Sequence, residues 1–202
     1  MPTLPALTVF AYLVGSIPTG VWLARWKGLP DPRTAGSGNI GATNVARTLG
    51  KRMGVLTLIG DAIKGAIPVL VARACGLPLA QLSVVAAVAV LGHVGSIFLR
   101  FQGGKGVATG LGAFLALAPL AAGMAVAVFA VLFALTRLVS LSSIVAAATL
   151  PVVMGSVAEL RPGALAAAVV AVVVIAKHRA NIGRLLRAEE PRFGRGGNGA
   201  AA

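Results

Sequence analysis

The chain contains six long apolar segments with almost no charge, and they limit its possible folds more than any other feature. They are residues 4–26, 53–74, 79–99, 107–135, 138–157 and 163–176. About 20 apolar residues are enough for an α-helix to cross a bilayer. Charged residues make up only 11% of the chain, against about 25% in a soluble domain. The sequence therefore predicts one all-α integral membrane domain over residues 1–187.

The basic residues lie between the apolar segments. The formal net charge is +13, from 18 Lys and Arg against 5 Asp and Glu. Such an excess often indicates nucleic-acid binding, but here its positions are typical of cytoplasmic loops that face anionic lipid headgroups. We therefore expect membrane lipids, and no nucleic acid, as partners. With a single cysteine, Cys75, and scattered acidic residues, the chain is expected to hold no metal and no cofactor.

The segment 107–135 decides the number of membrane spans. Its 29 residues are too many for one span and too few for two ordinary ones, and Pro119 allows a break near the middle. A single crossing gives six spans and puts the basic tail opposite the basic loop at 25–52. Two crossings put both on one side, as the positive-inside rule requires. We therefore expect seven transmembrane helices, some short or broken, with the N-terminus outside and the C-terminus cytoplasmic.

Two of the apolar segments contain features that are costly in lipid. Pro18 interrupts the first segment, and it indicates either a helix kink or a wall of a binding site. Asp61 and Lys64 lie within the second, where their i,i+3 spacing puts them on one helix face and allows them to neutralise each other. Their pairing is interpreted as either structural or site-shaping.

Three polar segments share the predicted cytoplasmic side: residues 37–47, 103–106 and 177–184. Residues 103–106 read Gly-Gly-Lys-Gly, in which glycine allows backbone N–H groups to converge on an anion and lysine adds a positive charge. This is not a Walker A loop, because Leu99 stands where the first glycine belongs and Gly106 replaces the Ser or Thr. With little acid nearby, the three segments predict an anionic ligand with more than one phosphate.

At these segments the chain resembles the bacterial acyl-phosphate-dependent glycerol-3-phosphate acyltransferases. The matching stretches are SGNIGATNVARTLG (37–50), GHVGSIFLRFQGGKGVATG (92–110) and KHRANIGRL (177–185), with GDAIKG (60–65) in the second apolar segment. Their order and spacing extend the resemblance from about Gly15 to Arg187. One departure is Gly95, where family members commonly carry an aromatic residue, and this concerns local packing of the acyl chain.

The resemblance implies transfer of a fatty acyl group from acyl phosphate to the 1-hydroxyl of sn-glycerol 3-phosphate. The products are 1-acyl-glycerol 3-phosphate (lysophosphatidic acid) and inorganic phosphate, in the first step of phospholipid biosynthesis. It also implies a multi-pass protein of the bacterial inner membrane with its active site facing the cytoplasm, which we expect to act as a monomer. Direct attack by the substrate hydroxyl is favoured over an acyl-enzyme, because no serine with a histidine–carboxylate partner is evident.

The resemblance also assigns roles to individual residues. Those implied to hold the glycerol phosphate group are Ser37, Arg47 and Lys105, and those implied to orient or activate its hydroxyl are His178 and Asn181. Those implied to give backbone donors to the phosphoryl group of acyl phosphate are Gly103, Gly104 and Gly106. The residues expected to line the site are Thr43, Asn44 and His93. The general base is left open between His178 and the departing phosphate itself.

An anion or phosphate transporter is the main alternative. It would fit the basic cytoplasmic cluster and the broken helices. However, the two halves of the sequence show no convincing repeat, and the polar segments collect at one face rather than at the midplane. Beyond the predicted domain, the Gly-rich composition of residues 188–202 predicts a disordered tail.

Overall fold

The computed structural model describes residues 3–194, and every regular element in this range is helical. The helices are α1 (Leu4–Ser16), α2 (Thr19–Trp26), α3 (Ala42–Leu49), α4 (Lys51–Ala74), α5 (Leu79–Val94), α6 (Val107–Leu117), α7 (Pro119–Thr136), α8 (Val139–Ser156), α9 (Ala164–Lys177) and α10 (Arg179–Leu186). Short 3-10 helices lie at Pro32–Thr34, Ile97–Leu99 and Ala158–Gly163. The predicted all-α class is confirmed.

Most of these helices are suited to a bilayer. Five segments are long and apolar enough to cross it: Lys51–Ala74, Leu79–Leu99, Pro119–Thr136, Val139–Ser156 and Ala158–Lys177. The pair α1 and α2, bent by 48°, makes a sixth if it is one span, and α6 is apolar but has only 11 residues. Large apolar side chains such as Leu70, Leu120 and Val172 are exposed on the helices, as expected where lipid is the solvent.

The long segment 107–135 is divided, as Pro119 indicates. Helix α6 ends at Leu117, Ala118 is non-helical (φ −145°, ψ 78°), and α7 begins at Pro119. Proline suits the first position of a helix because the N–H that it lacks would have no helical acceptor there. Pro68 and Pro151, by contrast, lie inside continuous helices. Proline therefore allows a break, and the surrounding packing decides whether it occurs.

The first apolar segment is also broken, and Lys64 stabilises the break. Between α1 and α2 the carbonyl oxygen of Ile17 accepts a hydrogen bond from Lys64 Nζ. The same ammonium group lies 2.8 Å from Asp61 Oδ1, with the two side chains only 5% and 3% exposed. A backbone group freed by a helix break needs a partner in lipid, and a buried charge needs a counter-charge. The Asp61–Lys64 pair therefore joins α4 to the break, which supports the structural interpretation, and Asp61 also lines a large cavity, which supports the site-shaping one.

Small residues allow close packing of the central helices. A Cβ atom at Gly112 of α6 would overlap the carbonyl oxygen of Ala62 in α4, and one at Gly65 of α4 would overlap that of Thr109. Helices in membranes associate largely through such close backbone approach, because lipid offers no hydrophobic driving force between them. The α4–α6 contact fixes the start of α6, and with it the Gly-Gly-Lys-Gly segment that immediately precedes this helix.

We expect Gly112→Ala to lower the free energy of unfolding in detergent by about 1–3 kcal/mol or more, because the new methyl group must displace the backbone of α4. The matched control is Gly123→Ala in α7, where an added Cβ meets no atom within 4 Å and the change should be at most about 1 kcal/mol. Thermal unfolding of the purified variants measures both. Equal stability of the two variants would contradict the close α4–α6 packing.

Candidate active site

The three polar segments predicted to share one side converge on a single cavity of about 700 Å³. Its lining includes most of the predicted site residues: Ser37, Thr43, Asn44, Arg47, His93, Lys105, Gly106, His178 and Asn181. The lining also includes apolar side chains, with Val55 and Leu58 of α4 and Phe129 and Phe133 of α7. The wall of the cavity thus contains both cationic and apolar side chains.

A smaller cavity of about 280 Å³ adjoins the larger one. The residues that line both cavities are Ser37, Asn39, Lys105, Asn181 and Arg184. Gly103 lines only the smaller cavity, together with Lys177 and Arg179. Lys105 therefore borders two adjacent spaces, each with cationic side chains in its wall.

The Gly-Gly-Lys-Gly turn packs against the end of α5. The N–H groups of Gly103 and Gly104 donate to the carbonyl oxygens of Val94 and His93, both at 3.1 Å. A Cβ atom at Gly103 would overlap the His93 carbonyl, and one at Gly104 would overlap the His93 imidazole. Only glycine fits at these two positions because the chain passes so close to α5.

This geometry corrects the expected role of Gly103 and Gly104 as backbone donors to a ligand, because both N–H groups already have intramolecular acceptors. The residues of this stretch that line the larger cavity are instead Lys105, Gly106, Val107 and Ala108. Gly106 has a left-handed φ of 83° and caps the start of α6. The first N–H groups of a helix lack helical acceptors and favour an anion. The start of α6 is therefore the part of this stretch suited to bind an anion through its backbone.

Lys105 supplies a half-buried positive charge beside this helix start. Its Nζ donates a hydrogen bond to Oδ1 of Asn181. Burial lowers the pKa of Lys105 to about 8; the Glu190 carboxylate opposes this shift, and the Arg184 and Arg47 guanidinium groups add to it. The ammonium group is still mainly charged at neutral pH, and a bound anion would stabilise this charge.

His178 lies at the join between α9 and α10 and is 2% exposed. Its Nδ1 is 2.8 Å from the Val174 carbonyl oxygen, to which only a protonated Nδ1 can donate, so in the neutral ring Nε2 is the acceptor. Burial lowers the pKa of His178 to about 4, despite the hydrogen bond to Val174, which raises it. The imidazole is therefore neutral at pH 7. It can accept a hydrogen bond from a hydroxyl but is a weak base.

Asn44 organises the first polar loop. Its Nδ2 donates to the carbonyl oxygens of Pro32 (2.8 Å) and Asn39 (2.9 Å), and its Oδ1 accepts from the N–H of Ser37 (2.8 Å). These bonds hold Ser37 at the rim of both cavities. Arg47, on the following helix α3, is exposed and forms no ion pair within residues 3–194.

Two charged residues of the site, Glu190 and Arg184, were not assigned a role from the sequence. Glu190 accepts hydrogen bonds from Asn181 Nδ2 (2.6 Å) and Arg184 Nε (2.7 Å), and its side chain is 8% exposed. The sequence indicates Glu190 only as an acidic residue that closely follows a basic segment. The predicted disordered tail, residues 188–202, includes Glu190. Residues 195–202 of that tail lie outside the described residues.

The comparisons with known proteins agree on one family. A family model described as "Glycerol-3-phosphate acyltransferase" matches residues 5–188. Glycerol-3-phosphate acyltransferases from Geobacter sulfurreducens and Syntrophotalea carbinolica are each 54% identical, over 93% and 91% of this chain and 96% and 94% of theirs.

Two crystal structures of an integral membrane glycerol 3-phosphate acyltransferase also match. The glycerol 3-phosphate form is 41% identical with a TM-score of 0.90, and the lysophosphatidic acid form is 40% identical with a TM-score of 0.87. Each match covers 96% of both chains. The similarity therefore includes the whole helical arrangement around the cavity.

Proposed function

The chain belongs to the glycerol-3-phosphate acyltransferase family, and on this basis we propose that it transfers a fatty acyl group from acyl phosphate to the 1-hydroxyl of sn-glycerol 3-phosphate. The products are lysophosphatidic acid and inorganic phosphate. The observation that carries the proposal is a cavity whose wall contains both cationic and apolar side chains, which suits a donor with a phosphate head and an acyl tail. The transporter alternative loses its support, because these relatives are acyltransferases.

Ser37, Arg47 and Lys105 hold the phosphate group of glycerol 3-phosphate in this proposal. The assignment is supported by the shared position of Ser37 and Lys105 in the walls of both cavities. The guanidinium of Arg47 is planar and can bind two phosphate oxygens at once. His178 and Asn181 orient the attacking hydroxyl, with His178 Nε2 as its hydrogen-bond acceptor. Thr43, Asn44 and His93 complete the lining.

The phosphoryl group of acyl phosphate binds at the start of α6. Free N–H groups of the first turn and the helix dipole both favour an anion there, and Gly106 permits the left-handed turn that exposes them. The acyl chain then extends along the apolar side chains of the cavity wall, which include Val55, Leu58 and Phe129. In this arrangement Lys105 lies between the two phosphate groups and reduces their repulsion.

The reaction is a direct transfer. The 1-hydroxyl oxygen attacks the carbonyl carbon of acyl phosphate, the bond from this carbon to the phosphate oxygen breaks, and its electron pair leaves with the phosphate. The hydroxyl proton passes to the departing phosphate, because His178 with a pKa of about 4 is a poor general base at pH 7. The chain contributes proximity, orientation and charge neutralisation.

We also propose seven spans, with the N-terminus outside, the C-terminus and the active site cytoplasmic, and the bacterial inner membrane as the location. The division of residues 107–135 into α6 and α7 supports the seventh span. Residues 1–187 form the catalytic domain in this proposal and act as a monomer, and the cavity wall also includes Glu190, Pro191 and Phe193 just beyond this range.

We expect Lys105→Ala to lower lysophosphatidic acid formation by roughly a thousandfold, because the transition state loses its central positive charge. The assay follows lysophosphatidic acid and inorganic phosphate released from acyl phosphate in the presence of glycerol 3-phosphate. The control is Lys27→Ala, since Lys27 lies over the Trp26 ring away from the cavity and should leave the rate unchanged. Wild-type-like turnover by purified Lys105→Ala would refute the assigned role.

The activity should fall on the alkaline side. Lys105 must be protonated to bind phosphate, and burial lowers its pKa to about 8, so charge is retained below that pH and lost above it. We expect kcat/KM for glycerol 3-phosphate to fall about tenfold for each pH unit above this value, when measured from about pH 7 to about pH 9.5. Residual activity of Lys105→Arg should lack this fall, because guanidinium stays charged in this range. The same alkaline fall in Lys105→Arg would assign it to another group.

The topology can be tested with the native cysteine. In the seven-span arrangement, Cys75 at the end of α4 lies outside, so a membrane-impermeant maleimide should label it in intact spheroplasts. In Cys75→Ser/Arg187→Cys, the exposed position 187 should be labelled only after the membrane is permeabilised. Labelling of position 187 in intact spheroplasts would instead support six spans.

A further inference from the structure

Glu190 is held against the proposed site by the chain that follows α10. After this helix Ala188 has a left-handed φ of 58°, and the N–H of Glu189 donates to the Arg184 carbonyl oxygen at 2.8 Å. The chain thus reverses and brings Glu190 back to Asn181 and Arg184. Further along, the N–H of Phe193 donates to the Arg137 carbonyl oxygen at 2.8 Å, and its ring packs edge-on against Phe133. The Glu190 carboxylate is therefore fixed from both sides.

The partners of Asn181 determine the orientation of its amide. A lysine ammonium group can only donate hydrogen bonds, and an ionised carboxylate can only accept them. Lys105 on one side therefore requires the amide oxygen, and Glu190 on the other side requires the amide nitrogen, as the contacts have it. Burial raises the pKa of Glu190, but hydrogen bonds from Asn181, Ser140 and Arg184 outweigh it and hold the pKa below its usual range. Glu190 is therefore ionised at neutral pH.

We propose that Glu190 is a positioning residue. It holds the Asn181 amide with its oxygen toward Lys105, and it thereby orients this amide toward the 1-hydroxyl of glycerol 3-phosphate. The inference rests on the proposed function. Without Glu190, the Asn181 amide keeps only the bond from Lys105, and its buried nitrogen loses a partner. The side chain can then rotate away from the geometry needed for transfer, where a small misplacement has a large effect on rate.

The charge of Glu190 gives this role a kinetic signature. A carboxylate next to Lys105 and Arg184 opposes the binding of an anionic substrate, so its removal does not weaken substrate binding. Loss of orientation, however, lowers kcat. A variant without a side-chain acceptor at position 190 should therefore show a lower kcat with an unchanged or lower KM for glycerol 3-phosphate. General damage to the site would instead raise KM as kcat falls.

The experiment compares Glu190→Ala and Glu190→Gln with wild-type enzyme, measuring kcat, KM for glycerol 3-phosphate and thermal stability in detergent. We expect Glu190→Ala to lower kcat at least tenfold without raising KM. Glu190→Gln should recover kcat to within about threefold, because its side-chain oxygen still accepts from Asn181 Nδ2. The matched control is Glu189→Ala, which removes the same charge from a neighbouring side chain that is 56% exposed and bound to Arg187; its kinetics should be those of wild type.

Two results would overturn the inference while leaving the proposed function intact. One is wild-type kcat in Glu190→Ala. The other is a rise in KM together with a fall in kcat that Glu190→Gln does not correct, which would make Glu190 a general structural residue. If wild-type enzyme formed no lysophosphatidic acid, the proposed function would fail and the inference with it.

Discussion

The charge of Lys105 is the feature on which the rest of the site depends. A lysine that is half-buried in a membrane protein is costly unless its ammonium group has partners. Asn181 accepts one hydrogen bond from it and Glu190 lies beyond, but Arg47 and Arg184 add positive charge nearby. The cavity therefore carries excess positive charge beside the free N–H groups at the start of α6. In the proposed function, the phosphate groups of the two anionic substrates restore the balance.

The same rule of satisfying every polar group explains the helices that hold the site. The break between α1 and α2 frees the Ile17 carbonyl oxygen, and Lys64 binds it while Asp61 neutralises the lysine. At the break before Pro119, which carries no N–H to satisfy, the Leu117 carbonyl oxygen accepts a hydrogen bond from Arg73 Nη2 at 2.8 Å. Close contact at Gly65 and Gly112 then fixes α6 against α4. These contacts give the start of α6, and Lys105 just before it, a defined position, although lipid offers no hydrophobic driving force between helices.

Much of this arrangement follows from residue patterns. Apolar length predicts the helices, the i,i+3 spacing predicts the Asp61–Lys64 pair, and donors combined with glycines predict the three segments that meet at the cavity. Two features required the structure. Glu190 reaches Asn181 only because the chain reverses at Ala188, and composition does not indicate that turn. From the sequence, the N–H groups of Gly103 and Gly104 are expected to donate to a ligand. The sequence does not reveal that carbonyl groups at the end of α5 already accept hydrogen bonds from them.

The central claim is that donor and acceptor phosphates are held together in one site, so that transfer is direct. Exchange of isotopically labelled inorganic phosphate into acyl phosphate, by wild-type enzyme without glycerol 3-phosphate, tests it most directly. Direct transfer predicts no incorporation above the enzyme-free control, because the donor alone has no acyl acceptor. Incorporation at a rate comparable with turnover would reveal an acyl-enzyme formed from the donor alone and would contradict the claim.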